Sequence, residues 1–405
     1  MEAAMARIQY AERAMPLMSG LRRRFVSERP FDGLSIAACL HVTAETAVLV
    51  RSLRAGGARV SLAASNPLST QDDIAQALQS DGIDVHARAG VDRKTYYQHI
   101  AAALNDGADL IVDDGGDLVS TVHTTGTPGV RGGCESTTTG VIRLRRMAAD
   151  GALAFPMIAA NDTPAKRMLD NVCGTGQSVI DGILRATNTL LAGKTVVIAG
   201  FGACGAGIAA RAAGLGSRVI VTEVDPVRAL DASLRGFPVL PMAEAAPVGE
   251  VFISATGSVD VIGAEHVAVM RDGAILANAG HFDAEIDVRA LETAAVAVHS
   301  DARPHVDAYE LADGRRLLLL AEGRVVNLVA AEGHPPEVMD LAFGILALSL
   351  AWLATNAGKL CADVHPVPPE LDAEAAGLTL AAMGVRIDTL TEAQREYLDS
   401  WRIGS

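Results

Sequence analysis

The sequence predicts an α/β protein in which two mostly parallel sheets are each covered by helices, and three observations carry that expectation. SIAACL, the helical run TAVLVRSLRAGG and RVSLAA alternate as strand, helix and strand near the N-terminus, the rhythm of a parallel sheet. Lys194 to Pro226, KTVVIAGFGACGAGIAARAAGLGSRVIVTEVDP, repeats it around a glycine loop, and EVFISATGS, AILANAGHFDAEID and VNLVAAEGHP continue it. The middle stretch also names a ligand. Gly200, Gly202 and Gly205 have the G-x-G-x-x-G spacing that lets a backbone turn tightly and a pyrophosphate approach a helix N-terminus. Glu223 ends the next apolar run about 20 residues on, where a carboxylate accepts both ribose hydroxyls of NAD and repels the 2′-phosphate of NADP. The expected cofactor is NAD.

A length of 405 residues with 50% hydrophobic content suits two or three domains with sizeable cores. The net charge of -14 and the lack of a basic cluster beyond Leu21 to Arg24 argue against nucleic acid. MEAAMARIQYAERAM carries acids and no apolar centre, so no secretory signal is expected. The most apolar stretch, Leu341 to Ala354, is shorter than the roughly 20 residues of a membrane span and reads as a buried helix. Five scattered cysteines without C-x-x-C pairs point to neither a disulfide framework nor a zinc site. The expected location is the cytoplasm.

Taken in order, residues 5–28 show helical spacing (Ile8, Ala11, Met15, Met18, Leu21), and Pro30 ends that segment. In the first α/β region His41, Ser65, Asn66 and Asp114 each follow an apparent strand, and binding groups of parallel sheets collect beyond strand carboxyl ends. In GGCESTTTGV the three threonines read, by local preference alone, equally well as a surface strand. Lys166 and Asp170 in MIAANDTPAKRMLDN share a helix face at i, i+4, the spacing of an ordinary surface ion pair. GQSVIDGILRATNTLLAGK forms a helix leading into the glycine loop. Asn278, His281, Asn327 and His334 end the later strands, and a lone histidine there is more often structural than catalytic. Pro335 and Pro336 break the chain, and a charged extension begins at PVPPELD.

Together the strings HVTAETAVL, SNPLSTQDD, DDGGD, ESTTTGV, NDTPAKRMLDN, GFGACGAG, TEVDP, NAGHFDAEID and EGRVVNLVAAEGHP resemble the S-adenosylhomocysteine hydrolase family from about residue 7 onward. The resemblance implies a discontinuous Rossmann-like substrate domain (1–175 and 336–366), an inserted NAD-binding Rossmann domain (176–335) and a small C-terminal segment (367–405). It also implies homo-oligomers, tetramer or dimer. The chain stops at DSWRIGS, like the shorter archaeal-like members, so no Lys/Tyr tail reaching a neighbour's NAD site is expected. In the family's chemistry, tightly held NAD oxidises the 3′-hydroxyl of an adenine nucleoside, which acidifies the 4′ proton. Loss of that proton expels the 5′ leaving group, water adds, and the ketone is reduced again.

By that resemblance Lys166 and Asp170 hold the 2′ and 3′ hydroxyls, with Lys166, its pKa lowered by burial, removing the 3′-OH proton. Asp114, His41 and His281 manage protons at the 4′ and 5′ carbons. Thr43 and Glu45 read the adenine edge, and Ser65, Asn66, Glu135, Ser136, His334 and Met339 complete the substrate contacts. Thr137, Thr138, Thr139, Asn171, Arg228, Thr256, Asn278 and Asn327 join Gly200, Gly202, Gly205 and Glu223 around NAD. No metal is implied.

The sequence departs from the family in three places. Glu135 and Ser136 stand where two glutamates are usual, withdrawing an acceptor beside the sugar. Ala203 and Ala206 replace larger or basic residues in the glycine loop, and Ile345 and Leu346 an Asn-Gln pair. Reversible hydrolysis of S-adenosylhomocysteine is therefore the first expectation. A paralogue that expels water from a 5′-type hydroxyl, leaving an exocyclic alkene in nucleoside secondary metabolism, is the second, and a non-catalytic NAD-binding regulator the third.

Overall fold

The computed structural model describes residues 2–402. Among the described residues, fourteen strands fall into two seven-stranded sheets. The first contains β1 (Ser35–Leu40), β2 (Arg59–Ala64), β3 (Asp84–His86), β4 (Leu110–Asp113), β5 (Gly132–Glu135) and β6 (Met157–Ala159). The second contains β7 (Thr195–Ala199), β8 (Arg218–Thr222), β9 (Val251–Ser254), β10 (Ile275–Asn278), β11 (Ala295–Arg303), β12 (Val306–Leu311) and β13 (Arg316–Leu320). The last strand, β14 (Val364–Pro366), returns to the first sheet and pairs parallel with β6.

The first sheet runs β14-β6-β5-β4-β1-β2-β3 and is parallel throughout. Its order reverses between β1 and β4, which opens the crevice expected at such a switch point. The second runs β11-β12-β13-β10-β9-β7-β8. Its five strands from β13 to β8 are parallel, whereas β12 is antiparallel to both neighbours. That antiparallel ribbon escaped the sequence reading because β11 is mostly exposed and alternates weakly. β1, β4, β7 and β9 are fully buried, which is why they read as apolar runs without alternation.

The N-terminal helical stretch is two helices, Glu2–Ala14 and Pro16–Glu28. Pro16 has no N–H to continue the first helix, so it starts a second. Ile8, Met15, Met18 and Leu21 are buried against Pro336–Asn356, the long apolar helix. That helix exceeds the apolar stretch seen in sequence, and Pro336–Lys359 is long and apolar enough to cross a membrane by composition alone. It is instead packed inside the first core. The following helix, Pro369–Ala382, adds Leu371 and Ala375 to the same core.

Asp340 on the long helix closes the start of Pro16–Glu28, accepting hydrogen bonds from Leu17 N at 2.9 Å and Met18 N at 2.8 Å. These are first-turn amides with no partner inside their own helix. Burial pushes the Asp340 carboxyl up to about 6, against the pull of those two amides. A raised folded value means that the native state holds its proton where the unfolded chain has released it. Stability should therefore fall as pH rises from about 4 to about 6, by on the order of 2–3 kcal/mol for this group. Urea midpoints measured across that window should show a shallower slope in Asp340→Asn, and an unchanged slope would assign the titration elsewhere.

Candidate active site

A cavity of about 480 Å³ lies where the carboxyl ends of the two sheets face each other. His41 follows β1, Asp114 follows β4, Ser136 follows β5 and Asn161 follows β6. From the other side, Gly202 follows β7, Thr256 follows β9 and His281 follows β10. All seven line the cavity. The parallel topology thus delivers residues from 240 positions apart to one crevice.

Lys166 and Asp170 are no surface pair: both are 7% exposed. The chain makes one short helix at Pro164–Lys166 and then widens into a π-helix over Arg167–Gly174, turning Lys166, Asp170 and Asn171 toward the cavity together. Lys166 Nζ lies 3.1 Å from Asp170 Oδ1 and donates to Asn161 Oδ1 at 2.8 Å. Asn161 in turn donates to Thr138 Oγ1 at 2.9 Å, tying the threonine run to the lysine. Burial alone would raise Asp170. The Lys166 ammonium and the His334 ring, whose Nδ1 is 3.7 Å away, outweigh it and hold the carboxyl well below the usual carboxylate range. The result is a fixed anion and a cation with donors to spare, side by side.

Across the cavity His41 Nε2 and His281 Nδ1 lie 3.9 and 3.6 Å from Asp114 Oδ1. Burial pulls His41 down to about 4, with Asp114 opposing, so its ring is neutral near pH 7. Glu45 lines the same cavity beside Thr43, and burial raises its carboxyl.

The threonine run is not a strand. Thr137 caps the helix Thr138–Ala149, its hydroxyl accepting from Gly140 N at 3.0 Å, and Thr137, Thr138 and Thr139 all reach the cavity. Thr43, Ser136, Asn171, Arg228, Asn327, His334 and Met339 also line it.

Seven expected contacts are placed elsewhere. Glu135 is fully buried behind the wall, where Oε1 accepts from Gly115 N at 3.0 Å and Thr137 N at 2.8 Å, so it fixes the loops on either side of Asp114 and Ser136. Ser65 and Asn66 are buried away from the wall, and Asn66 caps a short turn through Leu68 N. Asn278 is spent on its own loop: Nδ2 donates to Phe282 O at 2.7 Å and Gly323 O at 3.0 Å, and Oδ1 accepts from Gly280 N at 2.7 Å. These bonds hold the loop carrying His281. Gly200 and Gly205 shape the turn from behind, for a Cβ on Gly205 would overlap the Gly200 carbonyl. Glu223 bridges this turn by accepting from Phe201 N at 2.6 Å and Asp225 N at 3.0 Å. Sequence reasoning missed Asn161, although its place at a strand end is the signal that selected His41. It also missed Glu285, buried and accepting from Thr256 N at 2.8 Å and Gly257 N at 2.9 Å.

The second sheet's half of the cavity fits a dinucleotide. The helix Ala203–Gly214 starts at the glycine turn with Gly202 in the wall, and Arg228 stands beside it. Asn171 Oδ1 and Asn327 Oδ1 are buried without a partner in the protein, acceptors waiting for a donor such as an amide or a ribose hydroxyl.

The first family model to match, "S-adenosyl-L-homocysteine hydrolase, NAD binding domain", covers residues 171–333. "S-adenosyl-L-homocysteine hydrolase" matches residues 1–128. An adenosylhomocysteinase of Aquifex aeolicus is 54% identical over 100% of this chain and 97% of its own length. This chain belongs to the S-adenosyl-L-homocysteine hydrolase family. Another family member, the adenosylhomocysteinase of Saccharolobus solfataricus, is 52% identical over 98% of this chain and 96% of its own. Among solved structures, a dipicolinate synthase from Bacillus halodurans superposes with a TM-score of 0.50 at 16% identity, covering 80% of this chain and 99% of its own. That likeness concerns the fold alone. Family membership and the NAD-binding domain agree with what the quoted motifs implied.

Proposed function

We infer that the chain is an adenosylhomocysteinase, hydrolysing S-adenosyl-L-homocysteine to adenosine and homocysteine with recycled NAD. The observation that carries this reading is the buried Lys166–Asp170 pair, held by Asn161 in one cavity with Asp114, His41 and His281. NAD, bound against the second sheet, would supply reversible hydride acceptance from a ribose carbon. The chain's own residues do the rest. Asp170, a firm anion, accepts from the ribose hydroxyls and keeps Lys166 oriented; once its ammonium has released a proton, Lys166 takes the 3′-OH proton as the neutral amine and so returns to the cation that Asp170 and Asn161 hold. Asp114 takes the 4′ proton, and neutral His41 accepts or returns a proton at the 5′ carbon with His281 beside it. Glu45 and Thr43 face the purine.

The domain division at 1–175 with 336–366 and at 176–335 belongs to the same reading, as do a homo-oligomer and a cytoplasmic location. The domain division is supported by β14 joining the first sheet and the long apolar helix joining its core. One observation favours a narrower second reading. Ser136 turns its hydroxyl to Asp113 O at 3.2 Å, and Glu135 is buried, so no carboxylate faces the cavity at that point of the wall. A nucleoside with an extra sugar substituent and a free 5′-type hydroxyl has room there, and the same proton groups would then expel water. The NAD-binding regulator is disfavoured, since all five polar groups converge.

NAD-loaded protein should release adenosine and homocysteine from S-adenosylhomocysteine, followed by mass, with transient bound NADH seen by absorbance. Dehydration of such a nucleoside with no hydrolysis would replace the first reading by the second. Bound NAD that no nucleoside reduces would sink both.

A further inference from the structure

A second cavity, of about 430 Å³, adjoins the first at the end where Glu45 lies. Its wall includes Ala6 and Tyr10 from the N-terminal helix Glu2–Ala14, and Asp181 and Arg185 from the connecting helix Thr175–Thr187. Glu45, Glu332 and His334 line both cavities, so these three side chains form the partition between them. His334 is fixed, with Nδ1 3.7 Å from Asp170 Oδ1 and Nε2 3.3 Å from Thr175 Oγ1. Glu332 is the movable member. Its side chain is 73% exposed and meets Arg185 at 3.1 Å, a surface ion pair of the kind that costs little to part. Turning it aside opens a window beside Glu45.

The arginines of the second cavity are already engaged. Arg7 is bound to Asp73 and, at 3.2 Å, to Gln71 Oε1, while Arg185 is bound to Asp181 at 3.0 Å as well as to Glu332. A charged newcomer would have to displace those partners. The rest of the wall suits an uncharged group: Tyr10 lies one helical turn from Ala6 on the same helix face, and Ala44, Pro335 and Pro336 join them.

We propose that this second cavity extends the purine site, so that the protein accepts adenine nucleosides carrying one uncharged apolar substituent, of benzyl size, on the 6-amino group. The inference rests on the reading above in which Glu45 faces the purine. The amino group from which that carboxylate accepts then stands beside the window, and a substituent on it passes from the first cavity into the second. One hydrogen must stay on the nitrogen. A monosubstituted amine still donates to Glu45, whereas a dialkylated amine leaves the carboxylate without that donor.

Titration calorimetry of NAD-loaded protein with adenosine, 6-N-benzyladenosine and 6-N,N-dimethyladenosine tests the extension. The benzyl compound should bind within about threefold of adenosine. The dimethyl compound, though smaller, should bind at least about tenfold more weakly, because a site built around a substrate N–H rejects the analogue that lacks it. Ala6 is exposed and lines only the second cavity, so Ala6→Trp fills that cavity and leaves the first alone. This variant should weaken the benzyl compound at least tenfold and hold adenosine within twofold. S-adenosylhomocysteine carrying the same benzyl group should be hydrolysed at nearly the parent's kcat, with Ala6→Trp raising KM alone. Binding of adenosine with exclusion of the benzyl compound overturns the extension, as does benzyl binding that Ala6→Trp leaves unchanged. Equal binding of the dimethyl and benzyl compounds overturns the placement of the amino group at Glu45. Failure of adenosine itself to bind overturns the function inferred above, and the extension falls with it.

Discussion

Lys166→Met should lower the hydrolysis rate by about a thousandfold or more, within the range that a positioned acid–base group contributes. The lysine is the cation in a pair 3.1 Å from Asp170 and 2.8 Å from Asn161, and methionine fills its volume without a proton to move. Single-turnover mixing should show no bound NADH from adenosine, while NAD still co-purifies. A second readout separates chemistry from damage. Without the ammonium, Asp170 keeps only the His334 ring nearby, so its carboxyl must rise, and an unpaired buried charge costs about 3–5 kcal/mol. The double variant with Asp170→Asn should therefore be more stable than Lys166→Met alone yet equally inactive. Restored turnover in the double variant would remove both residues from the proposed chemistry.

Gly207→Ala should strip the protein of NAD and destabilise it by about 3 kcal/mol, the cost of overpacking where only backbone can yield. Gly207 lies on the helix that leaves the glycine turn, and a methyl group there would overlap the carbonyl of Val172 in the π-helix. On the matching surface, a Cβ on Gly176 would come within 2.6 Å of Gly207 O, so the two helices touch backbone to backbone. Pushing them apart moves Gly202 and Ala203 away from Asp170 and Asn171. Gly214→Ala on the same helix meets nothing within 4 Å and should be neutral or slightly stabilising. Urea titration and NAD content after gel filtration give the comparison, and equal behaviour of the two variants would refute the close-contact account.

Much of this was legible because parallel strands buried on both faces leave uninterrupted apolar runs that end in polar residues. That rule found His41, Asp114, His281 and the glycine turn. It could not tell which way a strand-end side chain turns. Glu135 and Asn278 read as ligand contacts from the family resemblance, but each is tied behind the wall by backbone amides or carbonyls of its own loop and of the loop after a neighbouring strand. Lys166 and Asp170 showed the opposite difficulty. Their spacing suits an exposed ion pair, and it is the packing of their segment against the helices Ala203–Gly214 and Pro336–Asn356, both distant in sequence, that takes them off the surface. The threonine run was ambiguous by propensity, since a cap at Thr137 depends on how β5 ends and not on the β preference of threonine.

The return of β14 to the first sheet bears on how the chain folds as it leaves the ribosome. β6 ends at Ala159 and its outer neighbour begins at Val364, so a growing chain makes six strands of the first sheet long before the seventh. At roughly 5–20 residues per second, the intervening stretch takes about ten to forty seconds to synthesise. For that time β6 is an unpaired edge, and the apolar surface later covered by Pro336–Asn356 faces solvent. The second sheet, by contrast, is contiguous in sequence and completes without waiting. The inserted half should thus be native while the half that encloses it is still open, making this interval the point at which nascent chains depend most on a chaperone.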